Sequence, residues 1–398
     1  MSRLKILSQA LAARFFRPRS AAALAKLQRK KMKRVQDHVS RCFDRDSLPA
    51  VLTKAEAVSN FAKLNVLKMS YEAALQHATD GTVVGDIHFG LSTGTSGSRG
   101  VFMTSNHERA FWAGAVIGRC LPSLLKPRRI AYFLRSDNKL YHSVQTGKRF
   151  QLKHFDLNTN VDVQALEEFA PDVIMAPSYV LTRIARSSYR GSPELVISSA
   201  DVLDPWDEKV IRSRFARLHH IYQATEGFLG ASCALGTLHL NEDLVFIERR
   251  MLDEKHFVPV LTDFHRRSQA VVRLELADVL RLGSCSCGSP LTALERVDGR
   301  LDEIFYAPTR IYRGELAEAL AHLPLAGVDF RFIQKTPSEY VLKASRFSEE
   351  IAGALRARLI AAGVAQPVIA IEREFSLPLF EKRRRFVSEV PSTLVERK

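Results

Sequence analysis

Residues 91–100 read LSTGTSGSRG, a run built almost wholly of Gly, Ser and Thr between two apolar stretches. Ile87, Phe89 and Leu91 lead into it, and Val101, Phe102 and Met103 follow. A linker of this composition is flanked by polar sequence and lacks turn discipline. Here a strand-like approach gives way to a helical pattern over 106–120, with Ser105 or Asn106 in the capping position. A Gly/Ser/Thr loop between two ordered elements suits phosphate, because glycine lets the backbone approach, amide N–H groups turn inward and hydroxyls donate further bonds. The Walker pattern is absent: Arg99 follows Gly94 at the fifth position with no Gly-Lys-Ser/Thr beyond it, and G-x-G-x-x-G is absent too. On its own the loop is equally a phosphate cradle or a structural turn.

The rest of the chain bounds the choice. At 398 residues with 46% apolar and 25% charged residues, it is long enough for two domains of ordinary globular composition. No apolar run approaches the roughly 18 residues that span a bilayer. The net charge of +15 suggests a nucleic-acid binder until it is located. Eleven Lys and Arg residues precede the first acidic residue, Asp37, and without them the excess falls to +4. The charge therefore belongs to an arm, residues 1–42, and no specific nucleic-acid partner is expected. Leu4, Leu7, Leu11 and Phe15 recur at helical spacing before Pro18 interrupts, and Ser20 is placed to cap a second helix carrying Leu24, Leu27, Val35 and Val39. Such an arm packs on the main domain, contacts an anionic surface or partner, or serves as a cleaved presequence. Five cysteines are too few for a disulfide framework, which fits a reducing compartment. We expect a cytoplasmic protein, with peripheral membrane contact through the arm as the alternative.

Between about 83 and 300, short β-rich runs at 129–134, 173–176, 194–198 and 219–222 alternate with helical patterns at 163–169 and 207–216. That alternation predicts an α/β domain with a largely parallel sheet. Later strands are expected at 241–248, 258–262 and 270–274. Beyond about 302, helices at 315–322 and 348–361 and strands at 329–334, 339–343 and 367–374 predict a small α+β domain. The expected organisation is a basic arm (1–42), a large domain with mixed sheets (43–301) and a small C-terminal domain (302–398).

Further motifs follow the loop in order, and together they resemble those of the AMP-forming adenylating enzymes: acyl-CoA synthetases, adenylation domains and luciferases. Ser92-Thr93-Gly94-Thr95-Ser96-Gly97 is similar to their T-S-G-T-T-G phosphate loop, with Arg99 the nearest positive charge where a lysine is usual. Tyr222-Gln-Ala-Thr225-Glu226 resembles the Y-x-x-T-E motif, in which the aromatic ring flanks adenine, the threonine reaches phosphate and the glutamate holds Mg²⁺. A carboxylate is the hard oxygen ligand that such an ion takes. Asp278 ends a segment resembling the one whose aspartate binds both ribose hydroxyls, a match of two acceptor oxygens to a vicinal diol. Gly299-Arg300-Leu-Asp302 resembles the G-R-x-D hinge, where Arg300 would contact nucleotide and Asp302 would be the pivot. Lys382 stands in place of the lysine that swings in to bind carboxylate and α-phosphate. These motifs span 92–382, about three quarters of the chain. Position in the family places Ser199 and Ala200 beside Tyr222 in the adenine slot. Tyr141 and His142, residues near Ser178 and Tyr179, and Phe228 would wall the acid pocket.

The resemblance is nearest to the branch of phenylacetate–CoA ligase and the synthetase that adenylylates a deazaflavin coenzyme, on His239-Leu-Asn-Glu-Asp243, Cys285-Ser-Cys287-Gly and the short hinge. Cys233, His239, Cys285 and Cys287 offer a Cys₃His donor set suited to structural Zn²⁺, a set that branch also carries; ordinary thiols are the alternative. The resemblance implies ATP, Mg²⁺ and a small-molecule carboxylate, aryl or fatty. Acyl-AMP would form first, and after rotation of the small domain a thiol, coenzyme A or an acyl carrier protein's phosphopantetheine, would displace AMP. Passing AMP to a cofactor hydroxyl, and a non-catalytic binding protein on the same fold, are the other readings.

Overall fold

A computed structural model describes residues 3–43, 50–91, 100–124, 126–134, 150–377 and 383–390. The chain opens with helices α1 (Arg3–Phe15) and α2 (Ala21–Phe43) on either side of Pro18. Ser20 Oγ accepts from the Ala23 amide at 3.2 Å, as its capping position predicts. Helices α3 (Lys54–Ser59) and α4 (Tyr71–Asp80) follow, then a three-stranded antiparallel sheet of β1 (Val83–Val84), β2 (Ile87–Leu91) and β3 (Val101–Ser105). Helix α5 (Asn106–Cys120) begins in a capping box between Ser105 and Glu108. Two glycines on α5 let α1 lie close: a Cβ at Gly118 would sit 2.2 Å from the Ala10 carbonyl oxygen, and one at Gly114 2.6 Å from that of Ile6. Arg14 pins the helix by donating to the Leu121 and Pro122 carbonyls at 2.7 and 2.6 Å.

The body is a twelve-stranded mixed sheet. Its parallel part contains β4 (Arg128–Leu134), β5 (Phe150–Asp156), β6 (Val173–Ala176), β7 (Leu195–Ser198) and β8 (Leu218–Ala224), ordered β5-β4-β6-β7-β8. Helices α6 (Val163–Phe169), α7 (Ser178–Arg186) and α8 (Pro205–Arg214) make the crossovers between successive strands from β5 to β8. From β8 onward the sheet turns antiparallel, through β9 (Gly227–Ser232), β10 (Leu238–Leu240), β11 (Val245–Met251), β12 (His256–Asp263), β13 (Leu274–Glu275), β14 (Asp278–Leu282) and β15 (Ala293–Arg300). The largest core cluster joins α1 and α5 to this sheet, and a second fills the space among β4–β8, α6, α7 and α8.

Two strand expectations change. The run at 270–274 is buried but extended only from Leu274, because Arg273 adopts φ 47 and breaks it. The strand expected from 241 begins at Val245, since Asn241 heads a turn in which its carbonyl accepts from the Leu244 and Val245 amides.

Beyond Arg300, a short 3₁₀ turn (Leu301–Glu303) leads into β16 (Phe305–Tyr306), β17 (Arg310–Ile311) and α9 (Arg313–Ala319). Then β18 (Phe330–Gln334), β19 (Glu339–Ala344), α10 (Ser348–Ala361), β20 (Val368–Arg373) and β21 (Phe386–Ser388) complete a four-stranded sheet ordered β20-β19-β18-β21. Its core also takes in Trp206 from α8, whose indole meets the Phe330 ring with centroids 5.9 Å apart.

Candidate active site

Crevices at the carboxyl ends of parallel strands are where open α/β sheets place their ligands. Here β7 ends at Ser198, and Ala200 turns away with φ 63, a left-handed conformation that a residue bearing a Cβ holds only when its surroundings impose it. Strand β8 ends at Ala224, and Thr225-Glu226 form the two-residue turn into β9. A bulge between Tyr222 and Gln223 shifts the register just before that turn.

These ends face a cavity of about 880 Å³. Gly100 and Val101, just past the Gly/Ser/Thr loop, line it, as do Ala200, Tyr222, Thr225, Glu226, Asp278, Gly299 and Arg300. Arg383 and Arg384, which follow Lys382, line it from the segment that leads into β21. Residues more than 280 positions apart thus share one chamber.

The chamber has a built polar corner. Tyr222 donates its hydroxyl to Asp278 Oδ2 at 2.7 Å, and Asp278 is the Cα partner of Arg300 across β14 and β15. Burial pushes the Asp278 carboxyl above the usual carboxylate range, while the Tyr222 hydrogen bond and Arg300 pull it back. Burial first, and then the neighbouring carboxylate, drive the Tyr222 phenol well above its ordinary value, so it stays a donor. Glu303, which accepts the Arg300 amide at 2.9 Å, is pushed up to about 7 by burial.

Glu226 pairs with Lys54 Nζ at 3.1 Å through Oε1, while Oε2 is buried with no hydrogen-bond partner among the described residues. An orphaned carboxylate oxygen in a polar chamber fits a divalent cation with hard-oxygen preference. Lys54, in the first turn of α3, was not singled out by the sequence; it lies 172 positions before Glu226, and nothing local signals the pairing.

The Lys-Arg run near the C-terminus reads by itself as a solvated charge patch, and its three arginines have separate partners instead. Arg383 pairs with Asp329 and lies over the Tyr179 ring at 4.9 Å. Arg384 donates to Asp302, the expected pivot, at 2.6 Å. Arg385 is buried between Asp204 Oδ2 at 3.1 Å and Asp207 Oδ2 at 3.7 Å. Ser92, Thr93, Gly94, Thr95, Ser96, Gly97, Arg99, Tyr141, His142 and Lys382 lie outside the described residues. Phe228 is 1% exposed and belongs to the main core cluster, and it is not among the residues that line this cavity. Ser199 sits one residue before the cavity-lining Ala200, with its amide donating to the Ala176 carbonyl at 3.1 Å.

A second constellation lies where two hairpin loops meet. Cys233 follows β9, His239 lies on β10, and Cys285 and Cys287 lie in the loop between β14 and β15. Their donor atoms all fall within 4.8 Å of one another. Cys233 Sγ and Cys285 Sγ are 3.7 Å apart, and Cys287 Sγ is 3.4 Å from His239 Nε2. A tetrahedral zinc site with Zn–S near 2.3 Å has S–S edges of about 3.8 Å, so these spacings fit the ion. His239 Nδ1 lies 2.9 Å from the Leu291 carbonyl oxygen, a contact that fixes the tautomer and leaves Nε2 for a ligand bond.

No protein-family model matches the chain, and no curated protein is similar to it in sequence. Solved structures are similar in fold. A 2-hydroxyisobutyryl-CoA ligase in the postadenylation state, in complex with 2-HIB-AMP, aligns with a TM-score of 0.65 at 15% identity over 94% of this chain and 90% of that one. The same ligase in complex with 2-HIB-AMP and CoA in the thioesterification state aligns at 0.51 and 16% identity, over 93% and 89%. The o-succinylbenzoate CoA synthetase of Bacillus subtilis, in complex with its acyl-adenylate intermediate, aligns at 0.52 and 15% over 74% and 67%. The chain has the fold of AMP-forming adenylating enzymes.

Proposed function

We propose that this chamber joins a carboxylic acid to ATP as an acyl-adenylate with release of pyrophosphate, then passes the acyl group to a thiol. The observation that carries the reading is the convergence on one cavity of Ala200, Tyr222, Glu226, Asp278 and Arg300 with Gly100 and Arg384, which flank the phosphate loop and the C-terminal lysine. A carboxylate is already a nucleophile, so the protein's task is to hold it in line with the α-phosphorus and offset developing negative charge. Asp278 accepts from the two ribose hydroxyls, with Tyr222 fixing the carboxylate and Arg300 beside it. Ala200 and Tyr222, with the Ser199 backbone, bound the adenine. The hydroxyls and amides of 92–97, with Thr225 and Arg99, hold the β- and γ-phosphates, and Lys382 binds the carboxylate and α-phosphate. A magnesium ion held by Glu226 would supply charge neutralisation at the phosphate oxygens. Cys233, His239, Cys285 and Cys287 would hold a structural zinc ion that ties two hairpins together.

The greater likeness to the postadenylation state than to the thioesterification state supports a small domain docked for the first half-reaction. Coenzyme A or a carrier protein's phosphopantetheine then serves as acceptor. ATP–pyrophosphate exchange over a panel of aryl and fatty acids tests the proposal, with product masses read after adding coenzyme A. Carboxylate-dependent exchange and a thioester mass are expected. No exchange with any acid overturns adenylation, and an AMP-ester mass overturns the thiol acceptor.

A further inference from the structure

The N-terminal arm carries a surface that the adenylation chemistry does not use. Helix α1 has two apolar faces. Ile6, Ala10 and Ala13 point inward onto α5, at 3%, 1% and 8% exposure. The larger side chains point out: Leu4 is 79% exposed, Leu7 37%, Leu11 39% and Phe15 64%, and Phe16 just beyond the helix is 81% exposed. At spacings of three and four residues, Leu4, Leu7, Leu11 and Phe15 form one stripe opposite the buried face. A helix selected only to pack on the domain gains nothing from placing its Leu and Phe in water and its Ala inside.

The second helix supplies charge. Lys26, Arg29, Lys30, Lys33 and Arg34 are exposed and share one side of α2, at i, i+3, i+4, i+7 and i+8. The opposite side is anchored, with Leu24, Val35 and Val39 buried, Gln28 donating to the Glu242 carbonyl at 3.0 Å and Lys31 to that of Asp243 at 2.7 Å. No acidic residue precedes Asp37 to offset these cations.

We propose that the arm docks the protein on an anionic lipid bilayer, with the Leu/Phe stripe of α1 seated at the headgroup–acyl boundary and the basic face of α2 on the lipid phosphates. A nucleic acid accounts for the cations and leaves the stripe in water. A second copy of the chain covers the stripe but brings two basic arms together, at a Coulomb cost. A bilayer satisfies both features. Among the described residues no helix is long and apolar enough to cross the membrane, so the contact is peripheral.

The test is flotation of the full-length protein with vesicles of phosphatidylcholine alone, or with about one third phosphatidylglycerol, at about 0.1 M salt. Binding at least tenfold stronger to the anionic vesicles is expected, falling as salt rises. Lys26→Gln/Lys30→Gln/Lys33→Gln lowers it about a hundredfold, and Leu7→Gln/Leu11→Gln/Phe15→Gln abolishes it, both with the melting temperature of the parent. Leu4→Trp provides a readout independent of stability, since its emission shifts to the blue on binding and is quenched by brominated lipids. Failure to float with anionic vesicles overturns the proposal. So does an unquenched Leu4→Trp, or light scattering that shows a dimer lost in the apolar triple variant. Binding of nucleic acid that depends on both faces, without vesicle binding, overturns it in favour of that partner.

Discussion

Asp278 and Arg300 face each other as Cα partners on antiparallel strands, and Tyr222 closes on the same carboxylate from β8 at 2.7 Å. Three motifs widely separated in sequence therefore act as one unit. A hydrogen bond to a charged group contributes about 1.5–3 kcal/mol, so losing the carboxylate's charge in the proposed ribose contact should cost roughly tenfold to a hundredfold. Asp278→Asn keeps an acceptor for Tyr222 and should raise KM for ATP by that factor, with KM for the carboxylic acid and the melting temperature little changed. Steady-state kinetics with each substrate varied separately checks this. An equal rise in both constants would mean that the substitution disturbs the chamber and not the nucleotide.

Glu226 offers one oxygen to Lys54 and holds the other buried, with no hydrogen-bond partner among the described residues. Replacing that oxygen by an amide removes a hard anionic ligand. Glu226→Gln should lower kcat/KM in pyrophosphate exchange about a hundredfold or more, the scale at which loss of a preorganised charge acts, and should raise the Mg²⁺ concentration needed for half-maximal rate. Lys54→Met should shift that concentration downward, because the half-exposed ammonium competes for the same carboxylate. A magnesium titration of the three proteins separates the outcomes, and an unchanged midpoint in Glu226→Gln would remove this residue from the metal's surroundings.

How much of this was legible in sequence depends on the range of the interaction. The parallel strands announced themselves, since 173–176 is a four-residue apolar run and is β6 residue for residue. The helix at 348–361 likewise carries local periodicity and matches α10. Asp278, Arg300 and Tyr222 were reachable through motifs with fixed spacing. Lys54 was not, because its role comes only from tertiary placement beside Glu226. Arg385 was not singled out for the same reason: only the approach of α8 buries it against Asp204 and Asp207. The strand expected at 270–274 failed on one backbone angle, that of Arg273, which composition does not encode.

The four-donor cluster at Cys233, His239, Cys285 and Cys287 predicts about one equivalent of zinc in protein purified without added metal. Its strands, β10 and β15, pair at His239 and Ala293 within the same twelve-stranded sheet that carries Asp278 and Arg300. Cys285→Ser or prolonged chelation should lower the melting temperature by several degrees, on the scale of a few kcal/mol for a lost structural ligand. Activity measured well below the melting temperature should largely survive, since none of the four donors lines the proposed substrate chamber. Elemental analysis settles occupancy, and less than half an equivalent sinks the site.

The rotation proposed for the second half-reaction would break a buried contact. Trp206 of α8 lies in the small domain's core, Arg313 pairs with Asp204 at 2.8 Å, and Arg385 lies 5.4 Å over the Trp206 ring. Removing one partner from a buried ion pair costs about 3–5 kcal/mol, because the other charge is left uncompensated. Arg385→Met should therefore lower the melting temperature and raise hydrogen exchange across α8 and β21. Burial also pushes the Asp207 carboxyl up to about 6, against the pull of Arg385 and of the Thr182 hydroxyl at 2.9 Å. A carboxyl whose folded value lies above its unfolded value binds more protons in the folded state between the two. Its contribution is most favourable below about 4 and is lost as the pH rises through 6. Asp207→Asn, which keeps the acceptor for Thr182, removes that term. The melting temperature of the variant relative to the parent should therefore rise between pH 4 and pH 7, and parallel curves over that interval would show that Asp207 does not titrate at the interface.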